Sequence, residues 1–103
     1  MYTLFLDDLR DPTDNSYIIC RSFEEAQNYV LDNGHPDHIC FDHDLGDGPN
    51  GLDFAKWFCE YVMDFEVDLS DFSFSVHSQN PIGATNISSY MNNFLAQYMT
   101  RYS

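Results

Sequence analysis

The chain has 103 residues, 44% of them hydrophobic, and its 17 acidic side chains against four lysines and arginines give a formal net charge of −13. We expect one domain over 1–103, because a chain of this length seldom divides its core and its apolar content is too high for disorder. The charge argues against long duplex nucleic acid as a partner. No apolar run approaches the ~20 residues of a membrane span and the start lacks a signal peptide's basic segment, so we expect a cytoplasmic protein without a membrane partner.

The first third of the chain contains two β-rich runs and one helical segment. The apolar run Leu4–Leu6 predicts a strand, and the polar segment 8–16, with its proline and turn formers, predicts a loop. A second strand is predicted over Tyr17–Cys20. Ser22, followed three residues later by a glutamate, is typical of a capping box, so the first helix should begin there and end near Gly34.

The rest of the chain repeats the alternation of strand and helix. Ile39–Phe41 predicts a third strand, and the glycine-rich loop 45–51 should lead into a second helix over Leu52–Phe65. That helix is apolar over most of its circumference, which is typical of a helix that is sandwiched or forms an interface. A fourth strand over Phe72–Val76, a loop over Asn80–Gly83 and a last helix complete the prediction.

This order of elements predicts a small three-layer α/β domain. We expect a mostly parallel sheet of four strands with helices on both faces. A flavodoxin-like strand order of 2-1-3-4 would place the first, third and fourth strands side by side. Three widely spaced cysteines in apolar surroundings, Cys20, Cys40 and Cys59, predict reduced core thiols rather than disulfides or a zinc site.

Chemically active side chains directly follow each of those three adjacent strands. They are Asp7 and Asp8 after the first strand, Asp42, His43 and Asp44 after the third, and His77, Ser78 and Asn80 after the fourth. Because the carboxyl ends of neighbouring parallel strands meet at one edge of a sheet, we expect these groups to share one crevice. Acids are also common turn residues where strands leave a sheet, so solvated strand ends remain the alternative.

Up to four carboxylates would converge in this crevice. Two carboxylates about 4 Å apart repel by about 4 kcal/mol at an effective dielectric near 20, so such a cluster should bind a cation or keep a proton. We predict that Asp7, Asp8 and Asp42 are ligands of Mg²⁺ or Mn²⁺, since oxygen ligands favour these ions. A histidine ligand would shift the preference toward Mn²⁺ or another transition metal.

Two of the four histidines lie next to the acids. We predict a catalytic role as acid or base for His77, because imidazole suits proton transfer near neutral pH. His43 and Asp44 would orient water or complete the coordination of the metal. The alternative for each histidine is a structural role, either at the surface or in the core with its hydrogen bonds made.

The same segments carry groups that suit an anionic ligand. We predict that Arg10, Ser78 and Asn80 bind phosphate, with backbone N–H groups near Gly83 at the start of the last helix. A salt bridge of Arg10 to Asp11 or Asp14 is the alternative for the arginine. Turn and capping roles are the alternatives for the other residues.

Three segments together resemble the cyclic-phosphate processing receiver domain. They are Leu4–Pro12, Phe41–Gly46 with Gly51, and Val76–Gly83 with Asn86. The resemblance spans nearly the whole chain and implies a receiver-like fold, divergent from the receiver domains of two-component signalling. It also implies a function on cyclic-phosphate ends of nucleotides or RNA, within RNA repair and processing.

The resemblance assigns roles by position. Asp7 and Asp8 match the acid pair that binds Mg²⁺ in ordinary receivers, Asp42 matches the phosphoryl acceptor, and Ser78 matches the hydroxyl residue that ends the fourth strand. The lysine of a fifth receiver strand has no counterpart, since the only lysine, Lys56, falls in the predicted second helix. Phosphoester chemistry is therefore favoured over phosphorelay, and a phosphoacceptor role for Asp42 stays open.

We therefore expect a metal-assisted phosphoesterase that binds or processes cyclic phosphates, with a small phosphate, a cyclic nucleotide or an RNA end as its partner. Two alternatives remain open. The first is a non-enzymatic module that binds a nucleotide or a protein. The second is an acidic inhibitor that mimics nucleic acid in a basic groove, and a homodimer or a protein partner through the acidic surface is compatible with either.

Overall fold

A computed structural model of the protein describes residues 2–12, 16–46 and 48–102. Its elements, in chain order, are β1 Thr3–Leu6, β2 Tyr17–Cys20, α1 Phe23–Asn33, β3 His38–Phe41, α2 Gly51–Phe65, β4 Ser73–Val76 and α3 Pro81–Tyr102. Residues 13–15 and 47, which belong to two predicted loops, lie outside the described residues. Within the described part, no helix combines the length and hydrophobicity that crossing a membrane requires.

The four strands form one parallel sheet with the order β2-β1-β3-β4. In its register, Leu4 of β1 lies beside Ile18 of β2 and Ile39 of β3, and Ile39 lies beside Phe74 of β4. The carboxyl ends of β1, β3 and β4 are therefore neighbours at one edge. The predicted α/β class, parallel sheet and strand order are confirmed.

Side-chain hydrogen bonds explain where α1 and α2 begin, and a glycine explains where α1 ends. Ser22 Oγ accepts a hydrogen bond from the backbone N–H of Glu25, as the capping-box pattern predicts. Gly34, at φ 85°, ends α1 in a backbone conformation that favours glycine. Asn50 and Asp53 form a reciprocal capping box that starts α2.

The last helix begins earlier than the sequence indicated. Pro81 is its first residue, so Pro81 and Gly83 lie inside α3 and not in a preceding loop. Asn80 Oδ1 accepts a hydrogen bond from the Gly83 N–H at 3.0 Å and so caps the helix. Proline suits the first helical position, because the N–H that it lacks would have no partner within the helix there.

All three helices pack against the same face of the sheet. The connections from β2 to β3 and from β3 to β4 run in one direction, so crossovers of the usual right hand place α1 and α2 on one side. Contacts of α2 with both α1 and α3 agree with this arrangement. The connection from β1 to β2 runs the other way and contains no helix among its described residues. The expectation of helices on both faces therefore needs correction: the described residues form two layers.

The hydrophobic core lies between the sheet and the helices. Leu4, Leu6, Ile39 and Phe41, which alternate along β1 and β3, are fully buried in it. Phe54 of α2 is also fully buried, and its ring contacts Phe23, Phe41, Trp57 and Phe58. Truncation of such a residue to alanine typically costs about 3–5 kcal/mol of stability.

The other side of the sheet, which we call the open face, has no helix against it among the described residues. It consists of the alternate strand positions Thr3, Phe5, Tyr17, Ile19, His38, Cys40, Ser73 and Ser75. None of them belongs to the main core cluster, and Ile19 is 37% exposed, whereas Phe5, which stacks with the rings of Tyr17 and His77, is 9% exposed. Parallel sheets are ordinarily covered on both faces, so this exposure distinguishes the protein.

Candidate active site

Asp7, Asp42 and His77 each occupy the first position after a strand. Their backbone N–H groups donate to carbonyls of the neighbouring strand at 3.1, 3.0 and 2.9 Å, which extends the parallel ladder by one residue. Because side chains alternate along a strand, all three point to the side of the open face. One ligand atom from each lies within 4.8 Å of the others. The structure thus brings these three predicted residues together.

Asp7 is the most firmly held member of the cluster, with 1% of its surface exposed. Its Oδ1 accepts hydrogen bonds from the backbone N–H groups of Leu9 at 2.9 Å and Arg10 at 2.8 Å. Burial alone would raise the pKa of Asp7, but these two backbone bonds and the imidazole of His77 hold the pKa below its ordinary value. Asp7 is therefore an ionised and fixed carboxylate.

His77 is fixed on several sides. Its Nε2 lies 3.0 Å from Asp7 Oδ2, and since an ionised carboxylate only accepts, this bond needs the proton on Nε2. The imidazole stacks on the ring of Phe5, with centroids 4.8 Å apart and planes 9° apart. The His77 carbonyl accepts a hydrogen bond from the Arg10 guanidinium at 3.0 Å. Nδ1 is then the nitrogen that can exchange a proton.

Asp42 differs from Asp7 in its electrostatics. Burial and the nearby charge of Asp7 raise the pKa of Asp42, while His77 and a backbone N–H from Asp44 oppose this effect. Its exposed fraction is 7%. Asp42 is thus the carboxylate whose ionised form would gain most from an added cation.

A cavity of about 320 Å³ opens beside this cluster. The residues that line it are Asp7, Asp8, Leu9, Arg10, Asp42, Asp44 and Gln79. Three further predicted site residues, Asp8, Asp44 and Arg10, therefore face the same space as the two buried acids. Gln79 was not singled out from the sequence, although it lies in the segment that follows β4.

The remaining predicted site residues engage one another at the start of α3. Ser78 Oγ accepts a hydrogen bond from the Asn80 N–H at 3.0 Å, and Asn80 caps Gly83. His43 Nδ1 lies 3.0 Å from Asp44 Oδ1, and the His43 ring packs on Gly83 so closely that an added Cβ there would lie 2.4 Å from its Cγ. None of these four residues lines the 320 Å³ cavity. Their roles toward phosphate or water stay predictions.

Arg21 is a residue near the site that the sequence analysis did not select. Its guanidinium donates to the carbonyls of Asp7 at 3.3 Å and Arg10 at 2.5 Å, and it pairs with the carboxylate of Asp11. It therefore holds the segment after β1, which carries much of the cavity wall. Its position directly after β2, the strand beside β1, is the signal that could have found it.

A larger cavity, of about 520 Å³, lies at the opposite edge of the sheet. His35, Pro36, Asp37, Asp68 and Asp71 contribute to its lining. These residues precede β3 and β4, away from Asp7, Asp42 and His77, and no group of possible metal ligands converges there among the described residues. Chemistry rather than size therefore selects the smaller cavity as the candidate active site.

Comparison with known proteins now identifies the domain. Residues 2–93 match the cyclic-phosphate processing receiver domain. The chain belongs to this family. Membership confirms the resemblance seen in the three strand-end segments, and it makes the protein a receiver-like module of a family that processes cyclic phosphates.

The other comparisons of this cyclic-phosphate processing receiver domain give information on its fold alone. No curated protein matches the chain. A solved structure in which the yeast Spc42 trimeric coiled coil is fused to another structure is similar, with a TM-score of 0.59 and 16% identity over 98% of this chain and 78% of that chain. At this identity, the likeness concerns the fold alone.

Proposed function

We propose that this domain is a metal-assisted phosphoesterase that opens cyclic phosphates of nucleotides or RNA ends. The observation that carries the proposal is the convergence of Asp7, Asp42 and His77 at the carboxyl edge of the sheet, within 4.8 Å. Two buried carboxylates beside an imidazole, next to a cavity that also contains Arg10, provide groups for a cation, for proton transfer and for a phosphate.

The donor set fits Mg²⁺ or Mn²⁺. An octahedral ion with bonds of about 2.1 Å has adjacent ligand atoms about 3.0 Å apart and opposite ones about 4.2 Å apart. One ligand atom each of Asp7, Asp42 and His77 lies within 4.8 Å of the others, close to this range, and the 3.0 Å between Asp7 Oδ2 and His77 Nε2 counts as a ligand spacing only if His77 gives up the proton of that hydrogen bond. Asp8 lines the same cavity and would complete the predicted oxygen ligands. A bound ion would polarise the phosphate and lower the pKa of a nearby water.

His77 has two mutually exclusive roles in this scheme. As a ligand, it must give up the Nε2 proton that it donates to Asp7, and it then favours Mn²⁺. As an acid or base, it keeps that bond, and Nδ1 exchanges the proton. The stacking on Phe5 and the bond to Asp7 orient the ring, which favours the second role.

The proposed reaction adds one water across a ring bond of the cyclic phosphate. The water oxygen forms a bond to phosphorus, one ring P–O bond breaks, and the products are a phosphomonoester and a free hydroxyl. His77 takes the proton from water or supplies one to the departing oxygen, and Asp7 stabilises the charged imidazole. Arg10, 43% exposed beside the cavity, contacts the phosphate oxygens.

The test is turnover of 2′,3′-cyclic nucleotides with Mn²⁺ or Mg²⁺, followed by phosphorus NMR. We expect ring opening that EDTA and Asp42→Asn abolish, whereas Asp32→Asn, an exposed acid of α1, leaves it unchanged. Absence of ring opening with every nucleotide and both ions, in a folded protein, would rule out the phosphoesterase. Thermal stabilisation by the nucleotide without product would instead support the non-enzymatic binding module.

The role of His77 can be separated from that of the acids. If His77 acts as acid or base, His77→Gln lowers kcat and leaves Mn²⁺ binding, measured by electron paramagnetic resonance, unchanged. Weaker Mn²⁺ binding by His77→Gln would assign it as a ligand instead. Asp42→Asn should weaken the binding of the ion in both cases.

A further inference from the structure

The open face adjoins the candidate active site without a break. Asp7, Asp42 and His77 form the last row of this side of the sheet, and Phe5 and Cys40 lie in the next row. Two strand residues span about 6.6 Å, so the rows are separated by a distance comparable with the breadth of a ribose. A nucleotide with its phosphate at the cluster can therefore place its base over the open face.

The open face has no acidic residue, although the chain as a whole is strongly acidic. Acids make up 17 of the 103 residues, yet none of the eight positions of the open face is acidic. Its one imidazole is that of His38, which bonds to Ser73 Oγ at 2.7 Å and Ser75 Oγ at 3.1 Å, and burial lowers the pKa of this imidazole. The surface beside the acid cluster is thus neutral, and Arg10 and Arg21 lie at its carboxyl end.

Aromatic rings connect the open face to the cluster. The ring of Phe5 is nearly parallel to that of His77, and also to that of Tyr17, with interplanar angles of 9° and centroid distances of 4.8 and 6.0 Å. Tyr17, only partly buried, forms the outer end of this column, and Ile19, also on β2, is 37% exposed. Nucleobases stack on such aromatic columns largely irrespective of their sequence.

A second copy of the chain fits this surface less well. Four strands of four residues span roughly 19 by 13 Å, or about 250 Å² per copy. A stable protein interface needs about 800 Å² on each side. The area matches a small planar ligand better than a subunit.

From these observations we infer that the open face is the base-binding surface for the nucleotide whose phosphate occupies the Asp7, Asp42 and His77 cluster. The base lies across the row formed by Ile19, Phe5 and Cys40, which is about 9.6 Å wide, and it contacts Tyr17 at the outer end of the aromatic column. The inference rests on the proposed function for the position of the phosphate. It extends that function by naming the substrate class as base-bearing cyclic phosphates and by assigning Tyr17 as a specificity residue.

Cys40 provides a test that does not depend on turnover. It lies in the middle of the open face, beside Phe5, and is only partly buried. Cys20 and Cys59 are 1% exposed, and burial raises the pKa of each thiol to about 12, which lowers their thiolate fraction about a thousandfold relative to the ordinary value of 9.0. Iodoacetamide should therefore modify Cys40 first, as peptide mass mapping would show.

We expect 2′,3′-cyclic AMP to slow the alkylation of Cys40, and ribose 2′,3′-cyclic phosphate and inorganic phosphate at equal occupancy to leave it unchanged. Equal rates with and without the base would overturn the inference. Because this measurement reports binding only, it remains decisive for the base even if no ring opening is found and the proposed enzyme activity fails.

Kinetics with variants of Tyr17 give a second readout. Tyr17→Ala should raise KM for the cyclic nucleotide about 5- to 150-fold, the range for loss of one base–aromatic stack, with kcat unchanged. The base-free ribose compound should be opened equally by both proteins. Tyr17→Phe, which keeps the ring, should retain the wild-type KM, and Leu31→Ala, an apolar residue 55% exposed on α1, is the matched control.

Three results would overturn the inference while leaving the phosphoesterase intact. The first is an identical KM for the nucleotide and the base-free compound, unaffected by Tyr17→Ala. The second is a change of sedimentation coefficient in Tyr17→Ala without a change of KM, which would make the open face a contact between copies. The third is a loss of turnover on the base-free compound in Tyr17→Phe, which would show that Tyr17 acts on the cluster rather than on a base.

Discussion

Replacement of Asp42 by asparagine should stabilise the ion-free protein while it abolishes activity. Ligand oxygens of Asp7 and Asp42 lie within 4.8 Å of each other, and the two residues are 1% and 7% exposed. Two unit charges at that distance repel by about 3.5 kcal/mol at an effective dielectric of about 20. The imidazole of His77 and the Asp44 N–H offset part of this repulsion. We therefore expect a net gain of about 1–2 kcal/mol, or about 5–15 °C in Tm.

Because the pKa of Asp42 is raised, the stabilisation by Asp42→Asn should depend on pH. A carboxyl whose pKa is higher in the folded than in the unfolded protein favours folding when protonated, and it loses that contribution as the pH rises through the folded pKa. Near pH 7 the wild type carries the repulsion and the asparagine variant does not. The advantage of the variant should therefore disappear as the pH falls below the raised pKa toward 3.8, the ordinary value.

Urea denaturation in EDTA at several pH values measures this difference. Addition of Mn²⁺ should then stabilise the wild type more than Asp42→Asn, because the variant lacks the second carboxylate and binds the ion more weakly. Asp32→Asn, on the surface of α1, is the control for loss of one negative charge from the whole chain. If Asp42→Asn is less stable than the wild type near pH 7 without ions, the two carboxylates do not repel as argued.

Three further predictions test the packing around the site. Gly51→Ala should lower the free energy of unfolding by about 3 kcal/mol, because its Cβ would lie 1.8 Å from the Asp42 carbonyl oxygen; wild-type stability in urea would contradict this. Gly83→Ala should lower the free energy of unfolding by about 1–3 kcal/mol, because the added methyl group would collide with the His43 ring. In a double-mutant cycle, this cost should be absent in a His43→Ala background; an equal cost in both backgrounds would refute the explanation. Asp7→Asn should be less stable than the wild type above pH 3.8, because the lowered pKa of the Asp7 carboxyl stabilises the fold where that carboxyl is ionised. The difference in stability should shrink as the pH falls below 3.8. Acid titrations followed by circular dichroism measure this difference, and a constant value would argue against the prediction.

The gathering of Asp7, Asp42 and His77 could be predicted because each directly follows an apolar run. Once the runs are taken as adjacent parallel strands, their carboxyl ends have to share an edge, whatever the helices do. The cap of α1 was equally accessible, since Ser22 precedes Glu25 by three residues and its hydroxyl accepts a hydrogen bond from the Glu25 N–H, although the Glu25 carboxylate accepts from the Arg21 N–H rather than from that of Ser22. The chemical roles of the gathered residues stay predictions.

The structure differs from the sequence predictions at features that depend on contacts between distant segments of the chain. Helices on both faces were expected from the alternation of elements, but the order 2-1-3-4 places a helix on the second face only if one connects β1 to β2. Pro81 and Gly83 were interpreted as loop formers, although a capping asparagine before a proline also starts helices. The packing of His43 on Gly83 and the bonds of Arg21 depend on which segments meet in three dimensions, and no local pattern contains that information.

The ladder bonds that hold Asp7, Asp42 and His77 have a dynamic consequence. The amide hydrogen of Asp7 is bound to the edge strand β2, and those of Asp42 and His77 are bound to the central strands β1 and β3, at 2.9 to 3.1 Å, so we expect their exchange with deuterium to require opening of the sheet itself. Native-state exchange should place these amides with the slowest in the molecule, and rapid exchange at all three would contradict this. The main chain under the reactive groups is then rigid on the time scale of a catalytic cycle, so adjustment to different ligands is left to exposed side chains such as Arg10 and Leu9.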